Sequence, residues 1–139
     1  MVERIAEWRG DMIAYEGAVQ APFTEREIAV LPYFGLASGF LTGKYRDETA
    51  VTGARAYRVG DYLCAAGLAV LGVMDGVAAE TGATHAQIAL ARLIAQPGTA
   101  APIASVSRVE QLNELLAATN LVLTPKHLAL LSSAMNGIV

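Results

Sequence analysis

The 139-residue sequence has one cysteine, few basic residues and no basic cluster. Because Cys64 stands alone, it cannot form a disulfide within the chain. Ten lysines and arginines against 13 acidic residues leave a net charge of −3, which excludes the basic surface that a nucleic-acid backbone requires. Residues 1–11 mix acids, bases and a tryptophan where a secretory signal carries an apolar core. These absences predict a cytoplasmic protein that does not bind nucleic acid.

Charged residues (17%) and aromatic residues (6%) are also scarce, whereas hydrophobic residues make up 54% of the chain. This composition excludes a disordered polyelectrolyte, and the length predicts one domain over residues 1–139. The longest apolar run, Leu63 to Met74, ends at Asp75 and falls short of the roughly 20 residues that span a bilayer. A membrane-spanning segment is therefore not expected.

Two short apolar runs, Ile28–Tyr33 and Ala101–Val106, have the composition of buried strands. Helical patterns separate them, and two strands joined by a helical crossover are parallel. The sequence therefore predicts an α/β fold that is mostly helical, with two short parallel strands. Two such strands do not make a self-sufficient sheet, so the chain has the pattern of part of a larger one.

Helices are predicted where capping residues precede apolar residues at helical spacing. They comprise a short amphipathic helix within residues 1–20; a helix from Asp61 to about Glu80, closed by Gly82; a helix opened by the capping box of Thr84 and Gln87 and stopped near Gln96; a helix opened by the capping box of Ser107 and Glu110 and running to about Thr119; and a helix opened by Thr124 and Pro125. The glycine-punctuated stretch before Asp61 is a long loop, of a kind that is often functional.

The glycine-rich segment Phe34–Arg46 follows the first predicted strand. It is not a Walker A loop, because Tyr45 follows Lys44 where a hydroxyl that binds Mg²⁺ is required. It does not match G-x-G-x-x-G, and Ser38 is outside the G-x-S-x-G frame of a nucleophile elbow. Two interpretations stay open: an ordinary surface loop, or a ligand loop whose Lys44 is available to an anion.

The junction between the second predicted strand and its helix is a second candidate site. Ser107 is expected to cap the helix, leaving free backbone N–H groups at the positive end of the helix dipole beside Arg108. This geometry accepts a phosphate, although a plain capping box with a solvated arginine is the simpler interpretation. Because each site follows a parallel strand, the two together are placed to hold the two ends of one nucleotide.

The remaining chemically active residues have little local support. His85 and His127 fall in first turns of helices and are expected to be solvated. Cys64 is expected to be a buried, inert thiol and Asp75 to face solvent. No histidine, cysteine or carboxylate group has metal-ligand spacing, so no metal site is expected.

A serine hydrolase is the remaining enzymatic alternative. It would pair Ser38 or Ser107 with His85 or His127. No motif places a base near either serine, which makes this the weakest hypothesis.

Three segments together carry a family resemblance: VLPYFGLASGFLTGKYR (residues 30–46), ATHAQIALARLIAQPG (83–98) and APIASVSRVEQLNELLAATNLVLTP (101–125). Over roughly residues 13–135 the chain resembles the C-terminal part of aldo-keto reductases, in particular bacterial oxidoreductases related to potassium-channel β-subunits. The resemblance implies a partial (β/α)₈ TIM barrel made of the last two βα units, with Ile28–Tyr33 as the seventh strand and Ala101–Val106 as the eighth. It also implies hydride transfer between NADP(H) and a carbonyl or alcohol.

Positions that match the family's cofactor-binding motifs are expected to bind NADP. They are Phe34, Leu36 and Ala37, which would line the pyrophosphate through their backbone; Gly39, which allows close approach; Lys44, which reaches a phosphate; Arg55, which covers the 2′-phosphate; Ser107 and Arg108 in the 2′-phosphate region; and Gln111 and Glu114 at the adenosine. The chain departs from the family where relatives often carry other residues, at Phe34, Arg92, Ser105 and Leu115.

The catalytic Asp, Tyr, Lys and His of the family come from the first half of the barrel, and no segment of this sequence matches that half. A full barrel needs about 250 residues. The resemblance therefore implies a truncated aldo-keto reductase domain, with a residual NADP-binding surface and no activity by itself. The alternative is a fragment that self-associates, or that pairs with a complementary half, because the apolar content then includes interior surface without its partner.

Overall fold

Helices account for most of the residues that the computed structural model describes, which are residue 16, residues 19–47 and residues 56–136. In chain order, the α-helices among them are α1 (Gln20–Glu25), α2 (Ala56–Gly60), α3 (Ala65–Thr81), α4 (His85–Ile94), α5 (Val109–Leu116) and α6 (Pro125–Asn136). Two 3₁₀ helices, Ala37–Thr42 and Ala117–Asn120, lie between them. Most of the short amphipathic helix predicted within residues 1–20 lies outside the described residues.

The two predicted strands are reduced to isolated bridges in the described part of the chain. Val30 pairs with Thr99 and Tyr33 pairs with Ile103, and both bridges are parallel. The Val30 N–H donates to the Gly98 carbonyl at 2.9 Å. The expected direction of pairing is present, but Ile28–Tyr33 and Ala101–Val106 do not extend into strands.

A change of register between the bridges explains why no ladder forms. Two residues separate Val30 from Tyr33, and three separate Thr99 from Ile103, so the partners fall out of step after one pair. Between the bridges Pro32 has no N–H to donate, and only its carbonyl takes part, accepting from Ile103 at 2.8 Å. A pair of parallel segments without neighbours is too small to enforce regular strands.

The core is built around α4, which is buried on nearly every side. Its buried residues are Ala86, Ile88, Ala89, Leu90, Ala91, Arg92 and Leu93. Against it pack the first 3₁₀ helix, through Phe40 and Leu41, and α3, whose apolar face includes Leu71 and Met74. Burial of each of these large side chains contributes roughly 1.5–3 kcal/mol.

The expected boundaries of α3 and α4 are mostly confirmed. Gly82 closes α3 with a left-handed φ of 72°, as the sequence predicts. The Thr84–Gln87 capping box opens α4: the Thr84 N–H donates to Gln87 Oε1 at 2.9 Å, and the Gln87 N–H donates to Thr84 Oγ1 at 3.3 Å. The predicted start of α3 at Asp61 is wrong. The chain turns at residues 61–64, and α3 begins only after an extended Cys64.

The capping box predicted for α5 does not form. Arg108 occupies the N-cap without a side-chain hydrogen bond, and Glu110 lies in the first turn. Ser107 instead donates both its N–H and its Oγ–H to Gln111 Oε1, at 3.1 and 3.2 Å. The cap expected for α6 is confirmed, since Thr124 Oγ1 accepts from the His127 N–H at 3.2 Å.

A buried ion pair joins residue 16 to the core. Arg92, 4% exposed, donates from Nη1 and Nη2 to the two carboxylate oxygens of Glu16 at 2.6 and 2.7 Å. Arg92 Nη2 also lies 3.3 Å from Ser132 Oγ on α6. The arginine that departs from the family pattern therefore links three parts of the chain.

No helix in the described part of the chain is both long and apolar enough to cross a membrane by itself. Two strongly bent helix pairs reach the required length and composition only when each pair is taken together: Ala65–Thr81 with His85–Ile94, and Val109–Asn120 with Pro125–Met135.

The first turn of α3 passes so close to the preceding turn that only glycine fits there. A Cβ on Gly67 would lie 2.0 Å from the carbonyl oxygen of Tyr62 and 3.2 Å from Phe40 Cζ. The rings of Phe40 and Tyr62 stack with their centroids 5.3 Å apart. Close contact at Gly67 therefore holds the start of α3 against the aromatic part of the core.

We predict that Gly67→Ala lowers the free energy of unfolding by about 3 kcal/mol, because the new methyl group displaces backbone rather than a flexible side chain. Gly72→Ala is the matched control on the same helix, since a Cβ there meets nothing within 4 Å. This control should raise stability by about 1 kcal/mol through helix propensity alone. Urea denaturation measures both, and a Gly67→Ala protein as stable as the parent would contradict the packing argument.

Candidate functional site

The glycine-rich loop after Tyr33 has a left-handed backbone at several residues. Phe34, Ala37, Ser38 and Gly39 have φ values of 73°, 49°, 58° and 96°. Left-handed backbone costs a non-glycine residue roughly 1–2 kcal/mol, so the surrounding contacts must hold this conformation in place. Ala37 is fully buried and so packs against the core on every side. Thr42 Oγ1 also donates a hydrogen bond to the Gly39 carbonyl at 2.7 Å.

The backbone donors of this loop are partly used within it. The Ala37 N–H donates to the Phe34 carbonyl and the Gly39 N–H donates to the Leu36 carbonyl, both at 2.8 Å. In this conformation neither N–H is available to an anion. The place of the Ala37 backbone along a pyrophosphate stays a prediction. Phe34 and Leu36 are half-buried and pack against the core.

The Lys44 side chain lies beside Gly39. Its Nζ is 4.7 Å from the centroid of the buried Tyr45 ring, and a Cβ on Gly39 would lie 3.9 Å from Nζ. The structure therefore brings Gly39 and Lys44 together, as the phosphate-binding prediction requires. The absence of a side chain at residue 39 leaves space beside the ammonium group.

The second predicted site lies at the start of α5. Ser107 and Arg108 are exposed, and Arg108 stands at the N-cap of the helix. Gln111 already accepts from Ser107 through its side-chain carbonyl. The main-chain carbonyl of Glu114 accepts from Gln87 Nε2 on α4 at 3.1 Å, which fixes α5 against the core helix.

Each of the two predicted sites follows one of the paired segments. Because the bridges are parallel, the glycine-rich loop after Tyr33 and the junction after Ile103 leave the paired segments in the same direction. Leu36 of the loop and Leu115 of α5 also pack against the same apolar cluster, which α4 and the second 3₁₀ helix form together. We call Gly39, Lys44, Ser107 and Arg108 the anion face.

The cations of the anion face have no carboxylate partner among the residues that the structure describes. Within the described part of the chain, Lys44 and Arg108 form no ion pair, and neither does Arg26. By contrast, Arg46, Arg92 and Lys126 pair with Asp75, Glu16 and Glu80 respectively. Arg55, predicted to cover a 2′-phosphate, lies outside the described residues.

Two histidine–carboxylate pairs were missed by the sequence analysis. His85 Nε2 lies 2.9 Å from Asp75 Oδ1, and His127 Nε2 lies 3.0 Å from Glu80 Oε2. The histidine side chains are only 11% and 8% exposed, so the expectation of solvated histidines is wrong. No sequence pattern signals these pairs, because α3 and the partners meet only through tertiary packing.

Asp75 binds a second cation as well. Arg46 donates to both carboxylate oxygens, at 2.7 and 2.9 Å, and its Nε donates to the Gly43 carbonyl at 3.0 Å. The Arg46 hydrogen bonds hold the pKa of Asp75 below its ordinary value. Desolvation lowers the pKa of His85 and outweighs the opposing effect of Asp75, so the imidazole is neutral near pH 7.

The remaining sequence candidates do not assemble a catalytic site. In the described residues no hydrogen bond joins Ser38 or Ser107 to either histidine. A serine hydrolase needs such a contact between its serine nucleophile and its base. Cys64 is exposed at the N-cap of α3, contrary to the expectation of a buried thiol. Over the same residues, no three histidine, cysteine or carboxylate side chains are grouped as a metal site.

We predict that the protein loses stability in mild acid because of His85. Its pKa is lower in the folded chain than the ordinary value of 6.5, so below about pH 6.5 the unfolded chain takes up a proton that the folded chain does not. The free energy of unfolding should therefore fall from pH 7 to pH 5. Asp75 adds nothing in this window, since its stabilising charge is lost only below its ordinary pKa of 3.8.

Urea denaturation across this pH range provides the measurement, with His85→Gln as the control that cannot titrate. The slope of stability with pH should be smaller in the variant. Equal slopes in the two proteins would show that His85 is not the group responsible.

Comparison with known families agrees with the geometry of the two segments. The sequence model described as the Aldo/keto reductase family matches residues 13–136, which include the glycine-rich loop, α4 and the anion face. The match covers almost the whole chain. It also explains the parallel pairing, because members of this family are built on parallel strands that alternate with helices. The chain belongs to the aldo/keto reductase family.

Proposed function

We propose that this chain binds NADP(H) by its phosphate groups on the anion face. The observation that carries the proposal is the parallel pairing of Val30 with Thr99 and Tyr33 with Ile103. This pairing starts two cation-bearing segments in the same direction: the glycine-rich loop with Lys44, and the junction with Arg108. Within the family, we propose a relation to the oxidoreductases that are related to potassium-channel β-subunits, because residues 30–46, 83–98 and 101–125 resemble their motifs.

The residues of the anion face suit a phosphorylated dinucleotide. Lys44, exposed beside the side-chain-free Gly39, is placed to bind a pyrophosphate oxygen. Arg108 and the Ser107 hydroxyl are placed to bind the 2′-phosphate, with the positive end of the α5 dipole adding to their effect. Both cations are without an internal carboxylate in the described structure, so a phosphate does not have to displace one.

The other predicted positions surround these contacts. Phe34 and Leu36 form an apolar wall on the loop, and Gln111 and Glu114 extend along α5 toward an adenosine. Ala37 keeps its predicted place along the pyrophosphate, with its own N–H bonded within the loop. Arg55 stays a prediction from the family motif.

We further propose that the chain does not reduce carbonyls by itself. Bound NADPH supplies the hydride in this family, but a proton donor must also face the carbonyl. Of the tyrosines whose side chains the structure describes, Tyr45 and Tyr62 are buried and Tyr33 is exposed. None of these three hydrogen-bonds to a lysine or histidine in the described residues. Burial raises the pKa of Tyr62, so this hydroxyl is a poor acid.

Fluorescence titration with NADPH should show saturable binding at sub-millimolar concentrations. Lys44→Ala and Arg108→Ala should each weaken it by about tenfold, the loss expected for one charge-assisted hydrogen bond. Arg108→Ala should also reduce the preference for NADP⁺ over NAD⁺, because the 2′-phosphate is its proposed ligand. Lys126→Ala, which removes a cation already paired with Glu80, is the matched control and should bind as the parent does.

Two results would overturn these proposals separately. A pure chain that shows no saturable NADPH binding would remove the cofactor role. Carbonyl reduction by that pure chain, with NADPH consumed in proportion to product, would remove the proposal of inactivity.

An exposed apolar surface favours self-association as a second function. Large hydrophobic side chains that are more than one-third exposed include Leu31 at 55%, Tyr33 at 51%, Ile103 at 54% and Val109 at 68%. Three of these four lie on the bridged segments, residues 30–33 and 99–103. The outer backbone edges of these segments have no partner strand in the described structure. A second copy of the chain, or a complementary half, would cover this surface by adding strands.

Light scattering coupled to size-exclusion chromatography should therefore detect dimers or larger species at micromolar concentrations. Replacing Leu31 with Glu places a charge on the bridged segment and should shift the equilibrium toward monomer. The same change at the exposed Val122, 85% exposed and away from the bridged segments in sequence, is the control. A parent chain that is monomeric at every concentration would contradict self-association.

A further inference from the structure

Three side chains from separate parts of the chain meet at the carboxyl end of the glycine-rich loop. Arg46 of the loop binds Asp75 of α3 through both guanidinium Nη atoms, and His85 of α4 binds the same carboxylate through Nε2. Arg46 Nε also donates to the Gly43 carbonyl of its own loop. We call Arg46, Asp75 and His85 the loop clamp.

The loop clamp fixes Gly43, the residue immediately before Lys44. Gly43 has a left-handed φ of 77°, and a Cβ placed on it would lie 2.5 Å from His85 Nδ1. The imidazole ring therefore packs directly on the backbone of Gly43. With the Arg46 bond to its carbonyl and its own N–H donating to Phe40, this residue is held on three sides.

The contribution of the loop clamp to global stability should be small. Side-chain exposures of 42% for Arg46 and 52% for Asp75 leave the ion pair well solvated, and exposed pairs stabilise folded proteins little. The contacts instead connect a loop to two helices at one point. Their main consequence is local: they set where residues 43–46 lie relative to α3 and α4.

We propose that Asp75 and His85 are positioning residues for Lys44, since they hold Gly43 and Arg46 so that the Lys44 ammonium faces the space beside Gly39. This inference rests on the proposed binding of NADP(H) phosphates by the anion face. It adds residues that themselves touch no phosphate. It also gives the histidine–carboxylate pair on α3 and α4 a purpose other than catalysis.

The geometry makes this positioning sensitive to acid. His85 Nδ1 is buried, and in the described structure it has no hydrogen-bond partner. A proton added there creates an unsatisfied N–H pressed against Gly43, so the ring must move outward. The charged groups that act on His85 are Asp75 from α3 and Arg46 from the loop. The two 3₁₀ helices beside α4 have no ionisable side chain, and Glu114 of α5 contacts Gln87 only through its main-chain carbonyl.

A matched control exists on the same helix. Glu80 of α3 binds His127 and Lys126 of α6 in an equivalent trio, but no part of the glycine-rich loop takes part in it. Asp75→Ala and Glu80→Ala therefore remove the same kind of contacts. Only the first of these variants should affect the loop.

Limited trypsin digestion of the full chain without ligand tests the loop clamp itself. Cleavage after Lys44 and Arg46 requires local opening of the loop. Asp75→Ala should accelerate it by roughly fivefold or more, as expected when a charged hydrogen-bonded partner is lost, and Glu80→Ala should not. Equal rates in the two variants would overturn the inference, whatever the outcome of cofactor binding.

NADPH titration of the same proteins tests the positioning of Lys44. Asp75→Ala should weaken binding by roughly fivefold while Glu80→Ala leaves it unchanged. Between pH 7.5 and pH 5.5 the parent should lose more affinity than His85→Gln, whose side chain keeps a donor for Asp75 but does not titrate. Faster cleavage with unchanged affinity would overturn the positioning role alone. A parent chain that binds no NADPH would overturn the proposed function and the positioning role together.

Discussion

The burial of α4 is the constraint on which the rest of the structure depends. From Ala86 to Leu93 the helix is covered on nearly every side, so each neighbouring element has to present an apolar surface to it. α3 and the first 3₁₀ helix meet this requirement with their largest side chains, and α5 is attached through the bond from Gln87 to the Glu114 carbonyl. Both segments of the anion face are therefore placed by α4.

The same helix explains two polar features of the chain. Arg92 would be costly inside this core without its bidentate Glu16 partner, because an isolated charge cannot be buried. His85 begins α4 at the edge of the core and so lies between solvent, Gly43 and Asp75. The charged groups near the anion face are thus divided in two. Arg46 and Arg92 pair with carboxylates, while Lys44 and Arg108 form no ion pair in the described part of the chain.

Features fixed by neighbouring residues were predictable from the sequence. The Thr84–Gln87 capping box, the left-handed Gly82 and the Thr124 cap each need only a few adjacent residues, and all three are present. The predicted capping box of Ser107 and Glu110 does not form, because Ser107 donates its hydrogen bonds to Gln111, the residue after Glu110.

Features that depend on distant partners were predicted less well. The strands Ile28–Tyr33 and Ala101–Val106 have suitable composition, but their extent depends on register and on neighbours that the described structure does not contain. In the site, the proximity of Gly39 and Lys44 follows from their short spacing. The contacts from Asp75 to Arg46 and His85 cross between elements and have no local signal.

We propose that the glycine-rich loop and the start of α5 act as one anion-binding face. The most direct test is a two-dimensional ¹H–¹⁵N NMR titration of the chain with NADP⁺. If they do, the amide signals of Gly39, Lys44, Ser107 and Arg108 should shift together along one saturation curve. Shifts confined to one of the two segments, or absent from both, would contradict it.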